Sequence, residues 1–249
     1  MPELPEAERA RALIAERALG RRIAAVDDTD TYVCRPHAPG EIAAALVGRR
    51  LITANRIGKT LWAETDDGGP DLGIHLGMSG RIAIDEEPDE RWDRFAITFE
   101  DGGRLALRDK RRLGRVRLEP DLSRLGPDAA VATRAEFRER VSRGGGPIKA
   151  RLMDQGVVAG VGNLLADEIL WQARLDPRRP ANDLSEEELD GLRRAVRAAV
   201  RNAVRNGGAH TGVLNEHRVR DGHCPRCGAA LSRGRIGGRT TYWCPVEQH

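Results

Sequence analysis

The feature that most constrains this chain is a change of periodicity part-way along it. Between Arg22 and about Val116 the apolar residues come in short runs. Among them are Ile23-Ala24-Ala25-Val26, Arg50-Leu51-Ile52-Thr53, Leu61-Trp62-Ala63, Ile74-His75-Leu76, Arg81-Ile82-Ala83-Ile84, Phe95-Ala96-Ile97-Thr98-Phe99 and Arg104-Leu105-Ala106-Leu107. Turns such as Asp66-Asp67-Gly68-Gly69 and Asp101-Gly102-Gly103 separate them, and repeated short strands of this kind predict a sandwich or barrel. The pattern breaks near Leu122–Asp128. Beyond it the chain repeats at helical spacing, which predicts helices over 134–142, 148–154, 163–175 and 185–206. The last opens Ser185-Glu186-Glu187-Glu188 and ends basic, as the helix dipole prefers. One more helix is expected over 6–19, with Gly20 where a C-cap would stand.

That first helix would present the start of the chain, Met1-Pro2-Glu3-Leu4-Pro5-Glu6. Removal of Met1, expected before a small residue, would leave Pro2 with a free secondary amine. An α-amino group titrates near ~7.7–8, so part of it is neutral and nucleophilic at neutral pH. Its attack on a sugar C1′ gives an iminium, an electron sink around which Glu3, and Glu6 beyond it, can move protons. The alternative on these six residues is that Pro5-Glu6 merely opens a helix.

The net charge of +3 is a weak push towards a polyanionic partner. Only three of the 41 basic residues are lysines, Lys59, Lys110 and Lys149. In so arginine-rich a chain, a lysine is a candidate for work needing a compact or titratable cation. Lys59, after Gly58 at the mouth of a strand, is read as a phosphate-binding or charge-tuning residue; Lys110 is read as incidental. No apolar run approaches the ~20 residues of a membrane helix, and a soluble, cytoplasmic protein is expected.

Ile148–Gln155 reads as a helix entering the turn Gly156-Val157-Val158-Ala159-Gly160-Val161-Gly162, with a second helix from Asn163. Asn163 is expected as the N-cap. Gly160 and Gly162 would let a ligand approach the backbone, and the free amides of the second helix would hold a phosphate within reach of Lys149. Three of the four cysteines fall in the last 26 residues: the CxxC pair Cys224 and Cys227, then Cys244. This suits a metal better than a disulfide framework. Tetrahedral zinc needs a fourth ligand, yet the position where a second CxxC would supply it is Glu247. His249 is the preferred substitute, ahead of His223 and Glu247, and a zinc-free hairpin with reduced thiols is the alternative. Gly237-Gly238-Arg239-Thr240-Thr241 reads as a hairpin tip pressing an arginine on a nucleic-acid backbone.

Taken together, these segments resemble the formamidopyrimidine-DNA glycosylase / endonuclease VIII family almost end to end. The resemblance rests on Pro2–Glu6, Gly58-Lys59, His75-Leu76-Gly77-Met78-Ser79-Gly80, Asp109-Lys110-Arg111-Arg112-Leu113-Gly114, the block from Ile148 to Glu168, and the cysteine hairpin. It implies an α+β fold, with an N-terminal β-sandwich flanked by helices over 1–126, a helix–two-turn–helix module over 127–215, and a zinc-finger hairpin over 216–249. The implied activity is base-excision repair of double-stranded DNA by a monomeric, nucleoid-associated glycosylase/AP lyase. By matching position, Pro2 is the nucleophile, Glu3 the general acid/base and Glu6 its support. Lys59, Asn163 and Arg239, with Lys149 more loosely, grip phosphates around the extruded nucleotide. Met78, Arg111 and Leu113 fill the vacated space. One structural zinc would sit on Cys224, Cys227, Cys244 and His249.

The departures from the family carry expectations of their own. Lys110 and Leu113 stand where the motif usually has proline and phenylalanine, and the stretch from Gly207 to Cys224 is short. Members that recognise 8-oxoguanine carry a longer loop there. Oxidised pyrimidines, ring-opened purines or abasic sites are therefore expected as substrates ahead of 8-oxoguanine. The rival functions are a non-catalytic damaged-DNA-binding protein and a lyase acting on abasic sites alone.

Overall fold

A computed structural model describes residues 2–249; the expected removal of Met1 lies outside the described residues. The chain forms two compact units. The first comprises Pro2 and Ala7–Leu122, the second Glu3–Glu6 and Ser123–His249.

In the first unit, β1 (Ile23–Asp27), β6 (Asp93–Phe99), β7 (Arg104–Arg108) and β5 (Arg81–Ile84) form one antiparallel sheet in the order β1-β6-β7-β5. A second antiparallel sheet has the order β2-β3-β4-β8, from β2 (Asn55–Ile57), β3 (Thr60–Ala63), β4 (Leu72–His75) and β8 (Arg115–Leu118). Both sheets turn apolar residues into one core. Phe95, Ile97, Phe99, Leu105 and Leu107 come from the first sheet, and Leu61, Leu72, Ile74 and Val116 from the second. This is the expected sandwich. Ala7, Ala10 and Ile14 of α1 (Leu4–Arg17) share that core at helical spacing. The helix starts earlier than expected because the Glu6 carboxylate accepts the Glu3 N–H at 2.8 Å, half of a capping box. Two expectations fail. Arg50–Thr53 makes only isolated bridges, Arg22 to Arg50 and Leu51 to Thr65. A short helix, α2 (Glu41–Leu46), stands where only strands were expected. Its N-terminal amides, Gly40, Ile42 and Ala43, are held by the carboxylate of Asp28, which is distant in sequence. Beside it, Cys34 is a buried apolar residue whose thiol is pushed up to about 12, by burial and then by Asp28, Asp30 and Asp27.

The second unit holds α3 (Arg134–Val141), α4 (Ile148–Met153), α5 (Asn163–Gln172) and α6 (Glu186–Asn206) around a separate apolar core. Ser185 and Glu188 close a capping box on α6, and Leu189, Leu192, Val196, Ala199, Val200 and Ala203 form its buried stripe. Leu4 packs in this core. The strands β9 (Ser232–Ile236) and β10 (Arg239–Trp243) pair from Ser232–Trp243 to Ile236–Arg239. Gly237 and Gly238, at φ 55° and 75°, make the two-residue turn, a combination that L-residues with side chains avoid.

Candidate active site and nucleic-acid interface

At the centre of the second unit's site is a carboxylate that caps a helix not its own. Glu3 is fully buried. Its side chain accepts the backbone N–H groups of Gly162 at 2.9 Å, Leu164 at 2.8 Å and Leu165 at 3.1 Å. The positive end of α5 and these donors together favour an anion there. Two expectations are thereby corrected. Those amides are not free for phosphate, because Glu3 occupies them. The residue before the helix is Gly162, with Asn163 as its first residue rather than its N-cap. The glycines also have another use. A Cβ on Gly162 would lie 2.3 Å from Glu3 Cδ, and one on Gly160 would lie 2.5 Å from Leu4 Cδ1. They admit the chain's own start, not a ligand. Glu6 holds the Glu3 N–H with one oxygen and the Ala209 N–H with the other, at 2.7 Å. It therefore braces the peptide next to Pro2, which is half-buried.

Asn163 donates through Nδ2 to Thr240 O at 3.1 Å, beside the exposed Arg239 at the start of β10. Lys149 does not reach solvent, and this corrects its reading as a phosphate contact. Its ammonium is 2.6 Å from Asp167 and 2.7 Å from Thr241 Oγ1, with neither side chain of the ion pair exposed. Arg218 adds a second cation at 2.9 Å from Asp167, and the Tyr242 N–H a further donor at 3.2 Å. Burial pushes Lys149 below the usual lysine range and Asp167 above the usual aspartate range, against their mutual attraction. The pair ties α4 and α5 to the hairpin. Nothing local in sequence announces Asp167, since its partners, Lys149, Arg218 and Tyr242, come from three separate segments.

In the first unit, Lys59 sits in the two-residue link between β2 and β3. Thr60 pairs with His75 across β3 and β4. His75, Arg115, Arg117, Thr60 and Asp121 line a cleft of about 260 Å³. Burial, followed by Lys59, Arg115 and Arg117, lowers the pKa of His75, and its Nδ1 accepts the Gly77 N–H at 3.0 Å. The imidazole is thus neutral in a basic cleft, with Nε2 left as the protonated nitrogen. Met78 is 41% exposed, Arg111 is exposed and Leu113 is half-buried. Asp109, fully buried, joins the loops that carry all three. Its carboxylate accepts from Ser79 Oγ at 2.5 Å and from the amides of Arg111, Leu113 and Gly114 at 2.7–3.0 Å. Burial raises its pKa, but the Ser79 hydroxyl and these amides outweigh that and hold it below the usual range. Sequence reasoning places Asp109 in a motif without revealing this role.

The sulfurs of Cys224, Cys227 and Cys244 lie within 4.8 Å of one another. Burial raises Cys224, but the Trp171 indole N–H and the amides of Cys227 and Arg226 outweigh it, bringing the thiol down to about 7. The three thiols could hold a metal ion and fit three positions of a tetrahedral zinc site. His249 is not in the group, which corrects its assignment. Its backbone N–H bonds Arg174 O at 3.1 Å and its carbonyl accepts the Asp176 N–H at 3.0 Å.

A two-sheet unit followed by a helical unit with a cysteine hairpin is the fold of a DNA-repair glycosylase. Residues 1–116 match the family model of the formamidopyrimidine-DNA glycosylase N-terminal domain, and residues 125–214 that of the H2TH domain of the same enzymes. A formamidopyrimidine-DNA glycosylase of Thermus thermophilus is 37% identical over 275 residues, covering 100% of this chain and 98% of its own. That of Chloroflexus aurantiacus is 35% identical over 272 residues, with the same coverages. Among solved structures, the Lactococcus lactis enzyme in complex with abasic-site DNA superposes with a TM-score of 0.86 at 28% identity, over 99% of each chain. Its complex with DNA containing an oxidised pyrimidine gives 0.87 at 29%, over 100% of each. The chain belongs to the formamidopyrimidine-DNA glycosylase family and is a DNA glycosylase/AP lyase of base-excision repair. No helix among the described residues is long and apolar enough to cross a membrane.

Proposed function

We propose that Pro2, freed of Met1, is the nucleophile, and that the chain excises damaged bases from duplex DNA through a covalent intermediate. Its nitrogen lone pair forms a bond to C1′ as the bond from C1′ to the base breaks, and the base leaves with that electron pair and a proton. The nitrogen gives up its proton, leaving C1′ bonded to both Pro2 and O4′. The C1′–O4′ bond then breaks, O4′ leaving as a hydroxyl with a proton from Glu3, and the resulting iminium acidifies C2′. Loss of a C2′ proton expels the 3′ phosphate, and a further elimination expels the 5′ phosphate. Glu3 moves protons at the sugar and Glu6 supports it. Lys59, Asn163 and Arg239 hold the flanking phosphates, while Met78, Arg111 and Leu113 fill the gap left by the flipped nucleotide. Residues 1–126 would carry the chemistry, 127–215 the DNA grip, and 216–249 the hairpin finger. The ion suited to the three thiols is zinc, with a structural role.

The observation that carries this reading is the buried Glu3 carboxylate, fixed by three amides one residue after Pro2. The same three bonds cap α5, and for a nucleophilic Pro2 they also hold a proton acceptor one residue away. We further propose a preference for oxidised pyrimidines, ring-opened purines or abasic sites over 8-oxoguanine, in a monomer acting on nucleoid DNA in the cytoplasm. In support, the short segment after Gly207 folds as single turns at Ala209–Thr211 and Leu214–His217 and is tied down by Glu6 and Glu168.

Borohydride trapping tests the reading. Adducts are expected with both lesion-containing and abasic duplexes, and none from Pro2→Gly or from an N-terminally extended chain. Trapping on abasic DNA alone would mean a lyase without glycosylase action. No adduct at all, or active protein retaining Met1 by mass spectrometry, would overturn the proposal. A clear excision preference for 8-oxoguanine in matched duplexes would overturn the substrate preference.

A further inference from the structure

The second cysteine knuckle, Cys244-Pro245-Val246-Glu247, repeats the spacing of Cys224-Pro225-Arg226-Cys227 but ends in glutamate. The Glu247 side chain is only 16% exposed, and its Oε2 lies 3.2 Å from Arg174 Nη1 and 3.2 Å from Arg226 Nη1. Arg226 also donates to Trp171 O at 3.3 Å and lies over the Trp171 ring at 4.2 Å. Swinging Glu247 to a metal would strip one partner from two cations.

Other bonds do what a fourth ligand would do for this knuckle. Gln248, 3% exposed, accepts the Cys244 N–H through Oε1 at 2.8 Å, donates its own N–H to Cys244 O at 3.1 Å, and donates Nε2 to Leu175 O at 2.8 Å. In the first knuckle, Cys224 N–H bonds Ala229 O at 2.7 Å, and the Trp171 indole N–H reaches Cys224 Sγ at 3.4 Å. Trp171, Leu214, Cys224 and Cys244 form a small buried cluster, with Ala229 and Leu231 packed on it. A small finger without such a core unfolds when its metal leaves. This one shares its core with α5.

We infer that the Arg174–Glu247–Arg226 clasp replaces the fourth metal ligand, so that the hairpin keeps its fold and its DNA grip when metal is withdrawn. The inference is independent of the Pro2 chemistry, and its test reads no catalysis.

The full-length protein is prepared zinc-loaded or dialysed against EDTA. Bound zinc is measured by elemental analysis, tryptophan packing by near-UV circular dichroism, and affinity for an undamaged duplex by titration. The stripped wild type should keep its near-UV spectrum and bind DNA within about twofold of the loaded form. In Glu247→Ala, metal becomes the main tie, so stripping should weaken DNA binding about tenfold or more and flatten the near-UV signal. Glu247→Cys completes a tetrahedral thiolate set and should retain zinc against EDTA that empties the wild type. The inference is overturned if stripping unfolds the wild-type hairpin, if Glu247→Ala resists stripping as the wild type does, or if the wild type holds zinc as firmly as Glu247→Cys.

Discussion

The ammonium of Lys149 and the carboxylate of Asp167 are 2.6 Å apart, with neither side chain in contact with solvent. Because Arg218 also binds Asp167, the cluster holds two cations on one anion.

That imbalance ranks two substitutions. Asp167→Asn removes the one anion in direct contact with both Lys149 and Arg218, leaving Lys149 only the longer-range pull of Glu3, and should destabilise the fold by about 3–5 kcal/mol. Lys149→Met leaves the Asp167–Arg218 pair intact and removes the donors to Thr240 and Thr241, an effect of about 1–2 kcal/mol. Urea unfolding of both variants checks the ranking; a more stable Asp167→Asn protein would contradict it.

Gly162→Ala should disable the enzyme without unfolding it. The backbone there, at φ −119°, suits any residue. The added methyl, however, would meet Glu3 Cδ at 2.3 Å and Oε1 at 2.5 Å. Displacing a group that moves protons lowers rates by ~10²–10⁴. Single-turnover strand cleavage should fall at least ~100-fold, with far-UV circular dichroism unchanged. Activity near the wild-type level would remove Glu3 from the chemistry.

Asp109→Ala should loosen both loops that carry Met78, Arg111 and Leu113. It orphans the Ser79 hydroxyl and three amides, an effect of about 2–3 kcal/mol on stability. Affinity for lesion DNA should drop more than affinity for undamaged duplex if, as proposed, these side chains act where a base has left. Titrating both duplexes checks this; equal losses would place the three residues outside lesion recognition.

Asp93 sets an acid limit on the first sheet. Burial raises its pKa, but Arg108, the Asp89 amide and Arg104 outweigh that and carry it from 3.8 to about 2. Its side chain is 5% exposed. A depressed carboxylate stabilises the fold in full above its unfolded pKa, and the contribution disappears as pH falls through the folded value. About 2 kcal/mol should therefore be lost between roughly pH 5 and pH 2. Asp93→Asn should lose it at neutral pH and show a flatter acid limb. Parallel acid titrations of unfolding would decide.

The local signals in the chain are legible where the physics is local. Ser185 and Glu188 three residues apart do close a box on α6, and Phe95, Ile97 and Phe99 at a spacing of two do face one core. The short helix α2 is hidden from such reading because its N-terminus is held by Asp28, beyond the reach of any window over 41–46. Asp109 could have been suspected, since an aspartate often accepts the backbone amide two residues on, here that of Arg111. Its bond to Ser79 depends on two strands being brought side by side.

By itself the sequence determined most of the strands and helices, the presence of a proline, two carboxylates and three thiols at telling intervals, and the family. These follow from periodicity and residue type, which a chain displays before it folds. Tertiary structure alone decided which partner each polar group took. It set Glu3 on the amides of α5, 159 residues from Gly162, sank Lys149 onto Asp167, and gave Glu247 to two arginines. The reason is that a side chain's chemistry states what it can bond. Which of the competing partners it meets in a low-dielectric interior is chosen by packing across the whole unit, and no spacing along the chain records that choice.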